Sequence, residues 1–253
     1  MKFIGIIPAR YSSTRFPGKP LADIDGVPMI IRVVRQALKA LDTVVVATDD
    51  NRIYDEVVKY GYNAVMTSVT HRSGTDRCLE AYDRFGHDAD VIINIQGDEP
   101  FIHPEQIEEL KQCYTDHTVT IATLIRRFPH DGSYESLSNP NSPKVVIDDN
   151  MNAIYFSRSV IPYLRGKERD TWQRCHQYYT HVGMYAYRVD VLREITRLPQ
   201  SSLELAESLE QLRWLQAGYS IKTGVTDYET VGIDTPDDLA KAVAYLKETY
   251  HNG

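Results

Sequence analysis

Uninterrupted apolar runs alternate along this chain with stretches whose apolar positions recur every three or four residues. Phe3 to Pro8 is a continuous run, the pattern of a parallel strand buried on both faces. A polar loop follows from Ala9 to Pro20. Pro28 then opens a predicted helix, because proline is tolerated at the first helical position. Within it Met29, Ile30, Val33, Val34, Ala37, Leu38 and Leu41 repeat at helical spacing. Thr43 to Thr48 reads as a second buried strand ending in Asp49 and Asp50. Asp50 or Asn51 can cap the next helix, which carries Ile53, Val57 and Val58. The rhythm continues with strand Asn63 to Met66, helix Asp76 to Phe85, strand Val91 to Ile95, helix Pro104 to Tyr114 and strand Val119 to Ile125. Such alternation predicts an α/β fold with a doubly wound, mostly parallel sheet. Ligands in such sheets sit beyond the carboxyl ends of the strands. Three loops lie there: the one after the first strand, Asp49–Asp50, and the one after Ile95.

The second half changes character. Between residues 126 and 188, short strand-like pieces (Val145 to Ile147, Ala153 to Phe156, Val182 to Tyr187) are separated by polar loops. They predict an added antiparallel layer or small subdomain inserted in a single domain spanning 1–253. Ser201 to Gly218 reads as one helix, with a capping box from Ser201 to Glu204 and a terminating glycine at Gly218. Leu205, Leu209 and Leu212 share one face of it. A last strand, Ile221 to Val225, leads through Gly232-Ile233-Asp234-Thr235-Pro236 into a final helix whose inner face carries Leu239, Ala242, Val243 and Leu246.

Composition narrows the partners. The chain has 253 residues and a net charge of -7, which makes non-specific nucleic-acid binding a poor fit, since neutralising phosphates needs clustered Lys and Arg. Any phosphate-bearing ligand must be met by a local basic patch. The three cysteines, Cys78, Cys113 and Cys175, form neither a CxxC pair nor a zinc spacing, and their odd number suits reduced thiols in a cytoplasmic protein. No window reaches the apolar length of a membrane span, and the short N-terminal apolar run is too short for a signal peptide.

That basic patch stands in the first loop. Arg10, Arg15 and Lys19 lie within one short stretch, with Ser12, Ser13 and Thr14 between them. Clustered cations and hydroxyl donors beside a buried strand suit a triphosphate; the other reading is a solvated basic loop. The P-loop pattern GxxxxGK[ST] and the dinucleotide pattern GxGxxG are both absent here. After the fourth predicted strand comes Gln96-Gly97-Asp98-Glu99-Pro100. Magnesium usually takes one or two carboxylates plus phosphate oxygens, so Asp98 is the first metal candidate, against a plain turn. Asp234 is the second, although Asp234 or Thr235 can equally cap the final helix. In His71 to Arg77, Thr75 or Asp76 can cap a helix whose free N–H groups suit an anion or a base edge.

The remaining polar clusters fall in the second half. Phe156-Ser157-Arg158 and Thr180 to Arg188 bring a cation, His181 and aromatic hydroxyls that suit a carboxylated, polyhydroxylated sugar. A lone histidine is as readily a satisfied core residue. Glu207, Glu210 and Gln211 oppose the leucine face of their helix, as sugar acceptors or as a solvated acidic face.

Taken together, these motifs resemble the 3-deoxy-manno-octulosonate cytidylyltransferases. The pieces are IPARYSSTRFPGKPL (7–21), ATDD (47–50), HRSGTDR (71–77), NIQGDEP (94–100), FSRSVIPY (156–163), HVGMYAYR (181–188), LEQLRWLQAG (209–218) and GIDTPDDL (232–239), and they run nearly end to end. The first loop is shared with cytidylyltransferases that activate sialic acids, whereas HVGMYAYR with LEQLRWLQAG points to the branch acting on 3-deoxy-D-manno-octulosonate (Kdo). The resemblance implies a nucleotidyltransferase sheet with a small dimerisation subdomain, a cytoplasmic homodimer, and the reaction of CTP with Kdo to give CMP-Kdo and pyrophosphate for lipopolysaccharide assembly. It implies that Arg10, Ser12, Ser13, Arg15 and Lys19 hold the CTP phosphates, that the backbone near Ala9 helps read the base, and that Gly74, Thr75 and Arg77 belong to the nucleotide site. Arg10, Lys19 and Asp98 are then the catalytic set, and Asp98 with Asp234 holds Mg2+. Gln96, Arg158, His181, Tyr185, Glu210 and Gln211 face the sugar. Residues 166–174 match no family motif. CMP transfer to 8-amino Kdo or a sialic acid, or a non-catalytic nucleotide-binding regulator, are the alternatives.

Overall fold

The structure is a computed structural model that describes residues 1–12, 16–229 and 232–251, with side chains described through residue 244. The chain divides into two compact units, residues 1–107 with 230–253, and residues 108–229.

The first unit is a parallel sheet with helices. Its elements are β1 (Phe3–Ala9), β2 (Asp23–Ile24), β3 (Val27–Pro28), α1 (Met29–Ala37), β4 (Val44–Thr48), α2 (Asn51–Lys59), β5 (Asn63–Met66), α3 (Gly74–Phe85) and β6 (Val91–Asn94). Strands run in the order β6-β1-β4-β5, all parallel, with Gly5 opposite Val44 and Phe3 opposite Val91. Every residue of β4 and β6 is buried, which is why these strands read as unbroken apolar runs. Each fully buried Val or Ile there contributes about 1.5–3 kcal/mol of transfer free energy. Asp50 caps α2 by accepting from the Arg52 N–H at 2.9 Å.

Two local expectations are corrected. Pro28 does not open α1; it ends the small β2-β3 hairpin and stands at the N-cap, and at the other end α1 stops at Ala37, which leaves Leu38 at the C-cap, 37% exposed. The cap of α3 is neither Thr75 nor Asp76 but Ser73, whose hydroxyl accepts from the Asp76 N–H.

Helix α4 (Pro104–Gln112) leads to the second unit. There β7 (Ile121–Arg127), α5 (Tyr134–Leu137), β8 (Lys144–Ile147), β9 (Ala153–Ser157), α6 (Trp172–Cys175), β10 (Tyr179–Arg188), α7 (Val189–Ile195), α8 (Ser202–Glu207), α9 (Gln211–Gln216) and β11 (Ile221–Thr226) follow. β10 is antiparallel to β7 and β8, β9 is antiparallel to β8, and β11 runs parallel to β7. Through those pairings β7 and β11 join the segment 126–188 in one unit.

The single helix expected over 201–218 is broken. Ser208 adopts φ 52, a left-handed conformation, and separates α8 from α9. The Ser201–Glu204 capping box is present as expected. Because of the break, Leu205 is 63% exposed while Leu209 and Leu212 are buried, so the three do not share a face.

Helix α10 (Pro236–His251) completes the first unit. Ile233, Ala242, Leu239 and Val243 pack with Ile24, Met29 and Phe101; the side chain of Leu246 lies outside those described. Among the described residues no helix is long and apolar enough to cross a membrane.

Candidate active site

Two parallel strands of the first unit deliver the charged groups. β1 ends at the buried Ala9 and releases Arg10 and Ser12 to the surface. Arg10 donates through Nη2 to the carbonyl of His71, which ties the first loop to the loop before α3. His71 in turn pairs with Glu80, which also accepts from the Ser68 N–H at 2.8 Å. Ser13 and Arg15 lie outside the described residues. Gly18 turns the loop with φ 73, and a Cβ there would stand 3.0 Å from the Tyr11 ring. Glycine is thus required twice over, by backbone and by space.

That turn delivers Lys19 to two carboxylates. Its Nζ lies 2.7 Å from Asp98 Oδ2 and 3.1 Å from Asp234 Oδ1, with only 15% of the side chain exposed. Asp98 follows β6, and its carbonyl accepts from the Ile233 N–H at 2.9 Å, which brings the stretch before α10 alongside. Capping of α10 falls to Thr235: its hydroxyl accepts from the Asp238 N–H, and Asp238 Oδ2 accepts from the Thr235 N–H at 3.0 Å. Both metal candidates therefore meet one cation. The donor set fits a hard cation, since two carboxylates converge on one positive point and leave the remaining ligands to phosphate oxygens. Among the described residues no cluster of three or more His, Cys, Asp or Glu comes together, so no all-protein metal cage is present there. Neighbouring Glu99 behaves differently: burial, reinforced by the charge of Asp98, pushes its carboxyl up to about 8.

Gly74 and Thr75 form the first turn of α3, Thr75 being buried. A Cβ on Gly74 would stand 3.2 Å from Pro8, so glycine lets the helix approach β1 closely. Arg77 is wholly buried; its guanidinium donates to Asp49 at 2.7 Å and to Thr67 at 2.5 Å. It braces the ends of β4 and β5 from within. Gln96 is half-buried two residues beyond β6.

The sugar candidates of the second unit gather on β10 and α9. His181 and Tyr185 are neighbours, with ring centroids 5.3 Å apart. His181 Nε2 meets the Thr123 hydroxyl at 3.1 Å, and burial pushes its ring down to about 3, which keeps it neutral at physiological pH. Tyr185 packs edge-on against Trp214 at 5.2 Å. Gln211 lies one helical turn before Trp214 on α9. Gln211 Nε2 and Trp214 Nε1 are buried and have no hydrogen-bond partner among the described residues, while the Tyr185 hydroxyl lies beside Thr123. Each such group costs about 1–3 kcal/mol when unmatched, so both call for a polar partner. Glu210 is half-buried at the start of α9, and Arg158 follows β9 with its guanidinium on backbone carbonyls. No motif contains Thr123, and Trp214 stands inside LEQLRWLQAG with no role expected of it. A lone hydroxyl within the apolar run Ile121-Ala122-Thr123-Leu124-Ile125 is the only trace of the former.

Cations and paired carboxylates at the carboxyl ends of parallel strands are what nucleotidyl transfer demands, and the protein falls in the nucleotidyltransferase class. Comparison with known proteins narrows this. Residues 4–222 match the cytidylyltransferase family model. Curated relatives named 3-deoxy-manno-octulosonate cytidylyltransferase share 63% identity in Parabacteroides distasonis, over 97% of this chain and 98% of that protein. The Phocaeicola vulgatus relative of the same name shares 60%, over 98% of each. A solved structure of CMP:2-keto-3-deoxy-manno-octonic acid synthetase complexed with CTP superposes with a TM-score of 0.89 at 43% identity, covering 98% of this chain and 100% of that one. The chain belongs to the 3-deoxy-manno-octulosonate cytidylyltransferase family.

Proposed function

We propose that the protein transfers CMP from CTP to Kdo, giving CMP-Kdo, the activated sugar for lipopolysaccharide assembly, and pyrophosphate. The observation that carries this reading is the Lys19–Asp98–Asp234 cluster at the carboxyl ends of the parallel strands, in a chain 63% identical to a protein of that name. The anomeric hydroxyl oxygen of Kdo attacks the α-phosphorus of CTP in line. An O–P bond forms as the hydroxyl proton passes to solvent, the bond to the β-phosphate oxygen breaks, and the electron pair leaves with pyrophosphate. Such chemistry rests on positioning and charge neutralisation rather than on a covalent intermediate with the protein.

Arg10, Ser12, Ser13, Arg15 and Lys19 hold the phosphates, and the backbone near Ala9 with Gly74 and Thr75 reads the nucleotide. Arg77 supports that surface by fixing Asp49 and Thr67. Asp98 and Asp234 hold magnesium, which when bound supplies positive charge at phosphate oxygens and acidifies a hydroxyl. Arg158 meets the sugar carboxylate, while Gln96, His181, Tyr185, Glu210 and Gln211 meet its hydroxyls. Neutral His181 serves there as a hydrogen-bonding group, not as a cation. The segment 126–188 contributes to a homodimer, supported by the exposed apolar and aromatic side chains Ile154 and Tyr163 on it. Three free cysteines suit the reducing cytoplasm.

The test is pyrophosphate release with magnesium. CTP with Kdo is expected to react; UTP or ATP with Kdo is not. Release from CTP with a sialic acid or 8-amino Kdo, but not with Kdo, keeps the chemistry and overturns the sugar. Absence of release with every pair, despite CTP binding, overturns the enzyme reading.

A further inference from the structure

The helix break at Ser208 and the buried Lys144 meet at one residue, Arg158. In an unbroken helix the carbonyls of Glu207 and Ser208 would accept from the N–H groups four residues on. Here they turn to the guanidinium instead. Arg158 Nε donates to the Glu207 carbonyl at 2.6 Å and Nη2 to the Ser208 carbonyl at 3.2 Å. Nη1 donates to the Pro140 carbonyl at 2.8 Å. Pro140 is itself held: Lys144, 0% exposed, donates through Nζ to Asn139 and Ser142 carbonyls on either side of it, at 2.9 and 2.8 Å. The Glu207 carboxylate fixes the strand end that carries Arg158, accepting from the Ser157 hydroxyl at 2.6 Å and the Arg158 N–H at 2.9 Å.

The chemistry of these acceptors matters. All three guanidinium partners are backbone carbonyls, whereas the nearby carboxylate engages a hydroxyl and a backbone N–H. Carbonyl acceptors orient a guanidinium without cancelling its charge, so Arg158 keeps its full attraction for an anion. A carboxylate paired directly with it would have to be displaced by any acidic ligand. Burial pushes the Lys144 ammonium down to about 8, and Arg158 adds to the push while Glu207 opposes it.

We infer that Glu207 and Lys144 are positioning residues for the sugar carboxylate: they fix Arg158 through backbone carbonyls of the α8–α9 break and the 139–142 turn. This inference rests on the reading of Arg158 as the group that meets the Kdo carboxylate. It also accounts for the helix break, since the same left-handed Ser208 that frees the carbonyls starts α9, with Glu210 and Gln211 at its head.

The experiment compares steady-state constants of full-length Glu207→Gln, Lys144→Met and Arg158→Lys proteins for Kdo, for CTP and for the carboxamide of Kdo. Glu207→Gln preserves shape and is expected to raise KM for Kdo about tenfold, with KM for CTP unchanged and no added effect on the carboxamide. A destabilised fold would instead move both substrates, or the thermal midpoint. Combining Glu207→Gln with Arg158→Lys should add little to Arg158→Lys alone. Should Arg158→Lys raise KM for Kdo and Glu207→Gln leave it unchanged, the positioning role falls and the sugar reading stands. Should neither variant move KM for Kdo, both fall. Lys144→Met serves as a second arm only if folded; Glu207→Gln decides alone if it is not.

Discussion

Lys19 holds two carboxylates, so removing it and removing one of its partners have different consequences. Lys19→Ala removes the cation that Asp98 and Asp234 share and, on the proposed reading, a phosphate ligand; turnover should fall by about two to three orders of magnitude. Asp98→Ala should abolish measurable turnover while the far-UV spectrum and thermal midpoint stay near those of the parent; near-normal turnover would contradict the metal assignment. His181 supplies a pH test. Its folded form is held neutral down to about 3, while the unfolded chain protonates below about 6.5. Between those values the unfolded state binds more protons, so stability falls as pH falls through that window. At pH 5 this one group costs about 2 kcal/mol. His181→Gln should therefore lose less thermal stability between pH 7 and pH 5 than the parent, and equal losses would contradict the burial of the ring. Lys19, Asp98 and His181 were all legible in the chain as chemistry-bearing types in motifs. Other partners were not: Thr123 on His181, Thr67 on Arg77 and the carbonyls on Arg158 belong to ordinary residues whose role comes only from tertiary placement.

Elements read from apolar spacing survive wherever burial alone decides them. β1, β4 and β6 agree to within a residue at each end, because buried parallel strands leave a continuous apolar signature, and β5, a half-buried edge strand, also lies where the pattern puts it. Where backbone conformation decides, the pattern misleads. Leucine spacing continues through Ser208, but that residue turns left-handed and ends the helix. Nothing in a serine signals this, since glycine or asparagine is the usual occupant. Ser208→Gly should keep the break, raise stability by at most about 1 kcal/mol in urea unfolding, and leave KM for Kdo unchanged. Gly18→Ala is the opposite case. Positive φ costs about 1–2 kcal/mol for an L residue, and the new methyl meets the Tyr11 ring. The first loop should shift and KM for CTP should rise several-fold in titrations against the nucleotide.

For the whole molecule, each unit carries its own chemistry. The first bears the basic loop and the paired carboxylates, the second all the sugar candidates but Gln96. The overall α/β class was legible because β-α alternation admits few topologies; the reach of the second unit was not, because an apolar run does not say which strands it will pair with, and β7 and β11 fall there through their pairing. If CMP passes from CTP to the sugar as proposed, Kdo with a heavy-oxygen label at its anomeric hydroxyl reports the bond that forms. Mass spectrometry of the products from CTP, labelled Kdo and magnesium is predicted to find the label retained in CMP-Kdo and absent from pyrophosphate, with attack of the sugar oxygen at the α-phosphorus. Loss of the label from CMP-Kdo, or CTP consumed with no CMP-Kdo formed, would contradict it.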